Sequence, residues 1–306
     1  MVIDTVKKFK RLFFSAPQVI RFGLVNYCNL ECPFCELEYT KKKNREKMSD
    51  EIFYKGVHDA IELGFEGKIS FTHFGEALMH PDFFKFASYA VKKGFPVEFV
   101  TNGVLVGKYA DEIIKSGISR VKFSIDSVNT SEYEKYRVGA KLDKVISNLE
   151  TLYKEKKSCG AELSICVQYM VPNKIYESVD ISNEDKMDQF KLRLKGKCDS
   201  IASNSLTGHE KTVDAKYRIK ECRMVSAICT IMHNGNATYC CLDERGELAL
   251  GNILEKSLRE IWFSPKACKE RIKTCLGAYI NPNFGPKYCR NCFLYPPYSK
   301  RLTHNF

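Results

Sequence analysis

The 306-residue chain contains no apolar run approaching the ~20 residues that a membrane-spanning helix requires, which argues against a membrane protein. An export signal is also missing. Lys7-Lys8-Phe9-Lys10-Arg11-Leu12-Phe13-Phe14 imitates the basic start of one, but Pro17 and Arg21 interrupt the apolar stretch behind it. A cytoplasmic location is therefore expected, and the fourteen cysteines read as metal ligands and buried thiols in a reducing compartment rather than as a disulfide framework. Negative charge is in short supply, with 37 acidic against 48 basic residues and a formal net charge of +11. That balance suits an anionic small molecule, a peptide with an acidic leader or a nucleic acid, and does not choose among them. The lysines of Lys41-Lys42-Lys43, Lys92-Lys93 and Lys154 to Lys157 are spread over helix faces and loops, as on a solvated surface, so neither a nucleic-acid nor a membrane partner is expected.

What is present is concentrated in Cys28-Asn29-Leu30-Glu31-Cys32-Pro33-Phe34-Cys35, three thiols in eight residues at the exit of an apolar segment. Packing does not explain such a loop. A C-x3-C-x2-C triplet can converge three thiolates on a cubane cluster and leave its fourth iron without a protein ligand, whereas electron-transfer clusters mostly use four cysteines. The alternative is a zinc knuckle, which needs a fourth Cys or His close by; the next histidine, His58, is remote and no second ligand pair follows it.

Around the triplet the chain alternates strand, turn and helix. Residues 2 to 14 place Val6, Phe9 and Phe13 at helical spacing and form an expected N-terminal amphipathic helix, 1 to 14. Strands are expected at Val19 to Tyr27, Lys68 to Phe74, Val97 to Thr101, Arg120 to Ile125, Glu162 to Val171 and Cys198 to Ser203. Helices are expected from Ser49-Asp50-Glu51 to Leu63, from Pro81 to Lys93, from Lys108 to Ser116 and from Leu142 to Lys157. Strands that are apolar throughout, alternating with helices at this pace, imply a parallel sheet or barrel, whose ligands lie at the carboxyl ends of the strands. Leu206 to Lys220, polar and lysine-rich, reads as a linker. Beyond it, Asn234-Gly235-Asn236 is a tight-turn signal between Ala227 to His233 and Ala237 to Cys241, which predicts a β-hairpin. Short helices follow at Ser257 to Trp262 and Pro265 to Cys275.

The triplet, with Phe34 just before its last cysteine, resembles the signature of the radical SAM enzymes. In that family the open iron chelates the amino and carboxylate groups of S-adenosylmethionine, whose reductive cleavage gives a 5'-deoxyadenosyl radical that abstracts hydrogen from a substrate. The resemblance implies an α/β fold, a partial (β/α)6 TIM-like barrel over residues 15 to 205, with Cys28, Cys32 and Cys35 as cluster ligands. It assigns cofactor contacts at the strand ends: Gly75-Glu76 to the methionine amino group, Asn102 and Ser124 to the methionyl and ribosyl parts, and the backbone near Phe34 to the adenine. Phe74 stands where the family's Gly-Gly-Glu motif has its first glycine, but Glu76 keeps the carboxylate. Taken singly, Asn102-Gly103 and Asp126 also read as turn or cap residues.

A second constellation follows the linker of residues 206 to 219. Cys222, Gly235, Cys240 and the pair Cys289-x2-Cys292 resemble the cysteine-rich α+β extension called SPASM in its shorter, twitch form, expected over residues 220 to 298 before a tail of 299 to 306. The resemblance implies that Cys222, Cys240, Cys289 and Cys292 hold one auxiliary 4Fe-4S cluster beside the SAM-binding one, and no cysteine follows Cys292 to hold another. Four thiolates also suit structural zinc. Cys159, Cys166, Cys198 and Cys229 lie in or beside apolar segments and read as core thiols, and Cys268 and Cys275 as structural. Cys241, expected on the strand face opposite Cys240, is a candidate hydrogen-atom donor to a carbon radical.

The expected activity is dehydrogenation or epimerisation of a sugar or cyclitol, with a flavodoxin- or ferredoxin-type protein as reductant. Peptide modification is the alternative, although no leader-peptide module is evident. A non-catalytic iron-sulfur electron carrier or zinc protein is the reading from another class.

Overall fold

A computed structural model describes residues 15–35, 37, 45–171, 184–205, 207–209, 222, 224–274, 292–294 and 303–305. The amphipathic helix expected over 1 to 14, and Cys275 and Cys289, lie outside the described residues. Two compact units divide the chain: residues 1–24, 46–73 and 207–294 form one, and 25–45, 74–206 and 295–306 the other.

In the first unit, β1 (Val19–Phe22) pairs in parallel with β2 (Lys68–Phe71) on one side and β8 (Ile228–Ile231) on the other. The hairpin of β8 and β9 (Asn236–Thr238) is antiparallel, as the Asn-Gly signal predicts, and β10 (Ala249–Asn252) continues it. Helix α1 (Asp50–Glu62) starts at Ser49, whose hydroxyl accepts from the Ile52 amide. Its Phe53 ring meets Phe22 at 5.1 Å and Phe71 at 6.0 Å between centroids. Each fully buried Phe contributes about 2 kcal/mol, so this triad fixes which face of β1 and β2 is covered. A capping box, Ser257 with Glu260, opens α7 (Leu258–Trp262), and the Leu258 amide donates to Asp59 of α1 at 2.9 Å. Helix α8 (Pro265–Ile272) lays Arg271 over the Trp262 ring at 3.9 Å. Thr207–His209, at the head of the expected linker, is a strand, β7, antiparallel to β11 (Cys292–Leu294).

In the second unit, β3 (Val97–Thr101), β4 (Arg120–Ser124), β5 (Ser164–Val171) and β6 (Ser200–Ser205) are parallel neighbours in that order. The expected tail supplies β12 (Thr303–Asn305), antiparallel to β6. Helices α2 (Phe83–Lys92), α3 (Ala110–Lys115), α4 (Thr130–Tyr136), α5 (Leu142–Cys159) and α6 (Glu184–Leu194) occupy the connections. Phe99, Val121, Phe123, Ile165, Val167 and Ile201 are fully buried. They alternate with Glu98 and Lys122, whose ion pair of 3.1 Å lies on the opposite strand faces.

Several expected boundaries shift. The first two strands stop at Phe22 and Phe71, short of Tyr27 and Phe74; beyond the first, the Leu24 carbonyl accepts from the Met48 amide in place of a ladder bond. Cys159 is exposed, since it ends α5 just before Gly160 takes the left-handed cap; Cys166, Cys198 and Cys229 are buried as expected. No helix among the described residues is long and apolar enough to cross a membrane.

Candidate cofactor site

The cysteine loop is shaped by Pro33, which suits the second position of a reverse turn, and the turn closes where the Cys35 amide donates to the Cys32 carbonyl at 3.1 Å. The loop is anchored at Glu31, whose amide donates to the Val138 carbonyl at 2.9 Å. Cys32 is buried, while Cys28 and Cys35 are half-buried. The Cys28 thiol is pushed up to about 11, by burial first and then by the neighbouring charges of Glu76, Cys32 and Cys35; the Leu30 amide, donating to its sulfur at 3.4 Å, opposes this. Burial likewise raises Cys32, against the pull of Arg137. Cys28 and Cys32, which resist ionisation, gain from positive charge placed between them, and metal binding would displace their protons. Among the described residues no three such side chains converge as ligands of a single ion. A cubane does not require that convergence, because each thiolate takes a different iron.

The centre of the site is Glu76, in the turn after β2 and fully buried. Its Oε1 accepts from the Thr101 hydroxyl at 2.9 Å and the Leu78 amide at 3.3 Å, and its Oε2 accepts from the Asn102 amide at 2.9 Å. Asn102 in turn donates its side-chain amide to Asn29 Oδ1 at 2.8 Å and to Cys28 Sγ at 3.6 Å. The strand ends at 76 and 102 are thereby wired into the cysteine loop. Two glycines make the approach possible. Gly75 has φ +98, and a Cβ there would stand 2.5 Å from the Val25 carbonyl oxygen; Gly103 has φ +83, and its Cβ would strike Val145 at 2.8 Å. Asn148 of α5, buried, holds the Gly103 and Val104 carbonyls at 2.9 Å each.

Sequence reasoning missed Arg137. It follows α4, buries its guanidinium, pairs with Asp126 Oδ2 at 2.6 Å, reaches Cys32 Sγ at 4.0 Å and lies 5.0 Å from the centre of the Phe34 ring. Burial opposes its charge, but Asp126 and Cys32 outweigh that and keep it protonated. No sequence signal separates this arginine from the surface cations. Ser124, the last residue of β4, is buried, and a cavity of about 300 Å³ is lined by Asp126, Ser127, Val128, Asn129, Glu132, Gln189 and Phe190.

Burial pushes the Glu76 carboxyl up to about 6 from 4.5, against its three hydrogen bonds. Because the folded value is the higher, its stabilising contribution is complete below the unfolded value and is lost as pH rises through 6. The loss amounts to about 2 kcal/mol. Chemical denaturation of the apo protein from well below pH 4.5 to well above pH 6 is expected to show wild type losing that much relative to Glu76→Gln; a constant difference across the window contradicts it.

The second constellation is only partly on view. Cys222 and Cys240 are half-buried, and Cys292 opens β11. Burial first, and then Cys241, raise the Cys222 thiol. Strand β9 ends at Thr238, and Cys240 and Cys241 lie in a turn closed from the Asp243 amide to the Cys240 carbonyl. The expectation that strand alternation separates the two thiols is therefore corrected: the ladder stops two residues earlier. Asp243, buried, fixes the turn by accepting from the Thr238 hydroxyl and the Glu247 and Leu248 amides at 2.8 to 2.9 Å.

A cysteine triplet tied to a buried carboxylate at the carboxyl end of parallel strands defines an α/β protein built to hold an iron-sulfur cofactor. The Radical SAM superfamily model matches residues 23–173, and the SPASM model, an iron-sulfur cluster-binding domain, matches residues 222–293. The chain carries a Radical SAM domain followed by a SPASM domain. These domains imply S-adenosylmethionine with a 4Fe-4S cluster, and auxiliary iron-sulfur binding.

Among curated proteins it is similar to a probable GTP 3',8-cyclase of Methanococcus maripaludis, 29% identical over 131 residues, 42% of this chain and 43% of that protein. It is also similar to the GTP 3',8-cyclase of Alkaliphilus oremlandii, 28% identical over 144 residues, 46% of this chain and 44% of that one. The chain thus spans less than half the length of the curated relatives it matches. Among solved structures, BtrN in complex with AdoMet and 2-DOIA superposes with TM-score 0.60 at 18% identity, covering 91% of this chain and 93% of that one. SuiB of Streptococcus suis bound to S-adenosylmethionine gives 0.66 at 15% identity, covering 87% and 70%. These likenesses bear out the fold expected from the sequence, an α/β partial (β/α)6 TIM-like barrel with a small cysteine-rich SPASM-like domain.

Proposed function

We propose that this chain is a radical SAM enzyme that cleaves S-adenosylmethionine reductively and abstracts hydrogen from a small, oxygen-rich substrate. The observation that carries the reading is Asn102, which bonds at once to the cysteine loop and to the Glu76 carboxylate. In this reading Cys28, Cys32 and Cys35 hold three irons. Bound there, the cluster supplies the electron that turns S-adenosylmethionine into methionine and a 5'-deoxyadenosyl radical. Glu76, with the Gly75 backbone, receives the methionine amino group; Asn102 and Ser124 orient the methionyl and ribosyl parts; the backbone at Phe34 faces the adenine. Glu76 suits its role because an ionised carboxylate that already holds three donors is rigid and ready to accept from an amine.

Cys222, Cys240, Cys289 and Cys292 hold one auxiliary cluster, the twitch arrangement. The substrate is a sugar or cyclitol, oxidised or epimerised, with a flavodoxin- or ferredoxin-type reductant in the cytoplasm. The +11 charge supports an anionic substrate, as does the nucleotide in the name of the curated relatives. A peptide substrate is the second reading, favoured by the likeness to SuiB solved with its precursor peptide SuiA, at TM-score 0.65.

Anaerobic reconstitution followed by metal analysis and assay for 5'-deoxyadenosine tests the proposal. About eight irons per chain and S-adenosylmethionine cleavage are expected; zinc in place of iron, or no cleavage with any reductant, overturns it. If Cys241 returns a hydrogen atom to the substrate radical, Cys241→Ala still cleaves S-adenosylmethionine but yields no stereo-inverted product carrying solvent deuterium. Inversion that persists in the variant dismisses that role.

A further inference from the structure

The first unit carries a polar row that the cofactor site does not use. Strand register places Arg21 of β1 beside Ser70 of β2 on one side and Thr230 of β8 on the other, and Thr230 beside Thr238 of β9. Parallel and antiparallel neighbours in register point to the same face, so these four side chains share one face of the sheet. The opposite face is apolar: Ile20, Phe22, Ile69, Phe71, Cys229 and Ile231 are buried there, with Phe53 of α1 on the phenylalanines. An apolar row on the first face would have been equally compatible with the fold.

The three hydroxyls of the row are dry, Arg21 is half-buried with its Nε enclosed, and two of the row's groups lack partners. Ser70, Thr230 and Thr238 are at most 1% exposed. Ser70 donates to Thr72 at 2.9 Å and Thr238 to Asp243 at 2.8 Å. Thr230 Oγ1 and Arg21 Nε are buried with no hydrogen-bond partner among the described residues. A buried hydroxyl and a buried guanidinium N–H without partners each cost about 1 to 3 kcal/mol, which a fold retains where something else accepts from them. Both are donors, and they sit side by side at the third position of four-residue strands, near the carboxyl ends where α/β sheets take their ligands.

Two histidines border the row from the turns beyond those strands. His73 follows β2 and lies against Gly23, where a Cβ would come within 3.1 Å of its Nδ1, so the missing side chain makes room for the ring. Burial first, and then the charges of Arg21 and His233, hold the His73 imidazole neutral, with its pKa at about 3. His233 follows β8 and bonds through Nε2 to Glu46 Oε2 at 2.9 Å. An arginine, a hydroxyl and an imidazole gathered on one face, two of them with unused donors, form a receptor for an oxyanion.

We infer that Arg21 and Thr230, bordered by His73, form a subsite for an oxyanion, a phosphate or carboxylate group carried by the substrate. That the group belongs to a substrate rests on the radical SAM reading; the anion site itself does not. The test uses the reconstituted enzyme, titrated calorimetrically with inorganic phosphate and, separately, with acetate. Saturable binding of one of them is expected. Preference for phosphate assigns a phosphorylated substrate, and preference for acetate a carboxylate-bearing one. Arg21→Gln is expected to weaken that binding at least about tenfold. Thr230→Val should weaken it too while raising the melting temperature of the free protein, because an unpartnered buried hydroxyl is replaced by an apolar isostere. Absence of binding of both anions by wild type, unchanged binding in Arg21→Gln, or a lower melting temperature in Thr230→Val overturns the inference. Formation of 5'-deoxyadenosine is scored independently, so failure of the radical SAM reading and failure of the subsite are told apart.

Discussion

Replacing Cys28, Cys32 or Cys35 by alanine is expected to remove about four irons per chain and to depress 5'-deoxyadenosine formation by at least about a thousandfold, some 4 kcal/mol of barrier. The reason is geometric as well as chemical. The turn from Cys32 to Cys35 and the bond from Asn102 to Asn29 fix the loop. Folding should survive in the Cys28 and Cys35 variants, whose side chains are only half-buried. Iron and sulfide analysis beside the cleavage assay decides the matter. A variant that keeps its full iron content and cleaves S-adenosylmethionine at the wild-type rate removes the triplet from the site.

The second large effect belongs to Arg137. Its side chain and that of Asp126 are 11% and 8% exposed, and the pair stands 2.6 Å apart. Breaking a buried pair leaves one charge uncompensated, so Arg137→Met is expected to cost about 3 to 5 kcal/mol in chemical denaturation. Asp126→Asn in the same chain should restore most of that loss, because the stranded carboxylate is then neutral. The cluster gives a second readout. Arg137 is the cation that opposes the burial of Cys32, so the double variant, if well folded, should hold its reduced cluster at a lower potential than wild type. If the single and double variants lose stability equally, the ion pair is not what holds this corner.

Much of the architecture is legible in the chain. The succession of apolar strands and amphipathic helices is a local property, and it shows through because each strand must bury both its faces or pack one against a helix. Asn234-Gly235-Asn236 marks its hairpin for the same local reason, as Gly235 takes φ +86 there. The cysteine triplet is legible because three thiols lie on one loop, and the turn at Pro33 is written in a single residue. Glu76 and Asn102 are found at successive strand ends, which a parallel fold brings to one side. The end of the first strand is not legible, since departure from the ladder depends on which distant amide captures a carbonyl, here Met48 on Leu24.

The sequence alone determined the class of fold, the three-cysteine loop and the residues at the strand ends, because each of these rests on spacing along the chain. Tertiary structure alone decided what those residues touch. It chose β8 as the second neighbour of β1, brought Arg137 onto Cys32 from 105 residues away, joined Glu76 to the cysteine loop through Asn102, and lined up Arg21 with Ser70 and Thr230. Such contacts depend on register and burial. Those arise only when distant segments meet and exclude water, and a buried arginine looks the same in sequence as one that water surrounds.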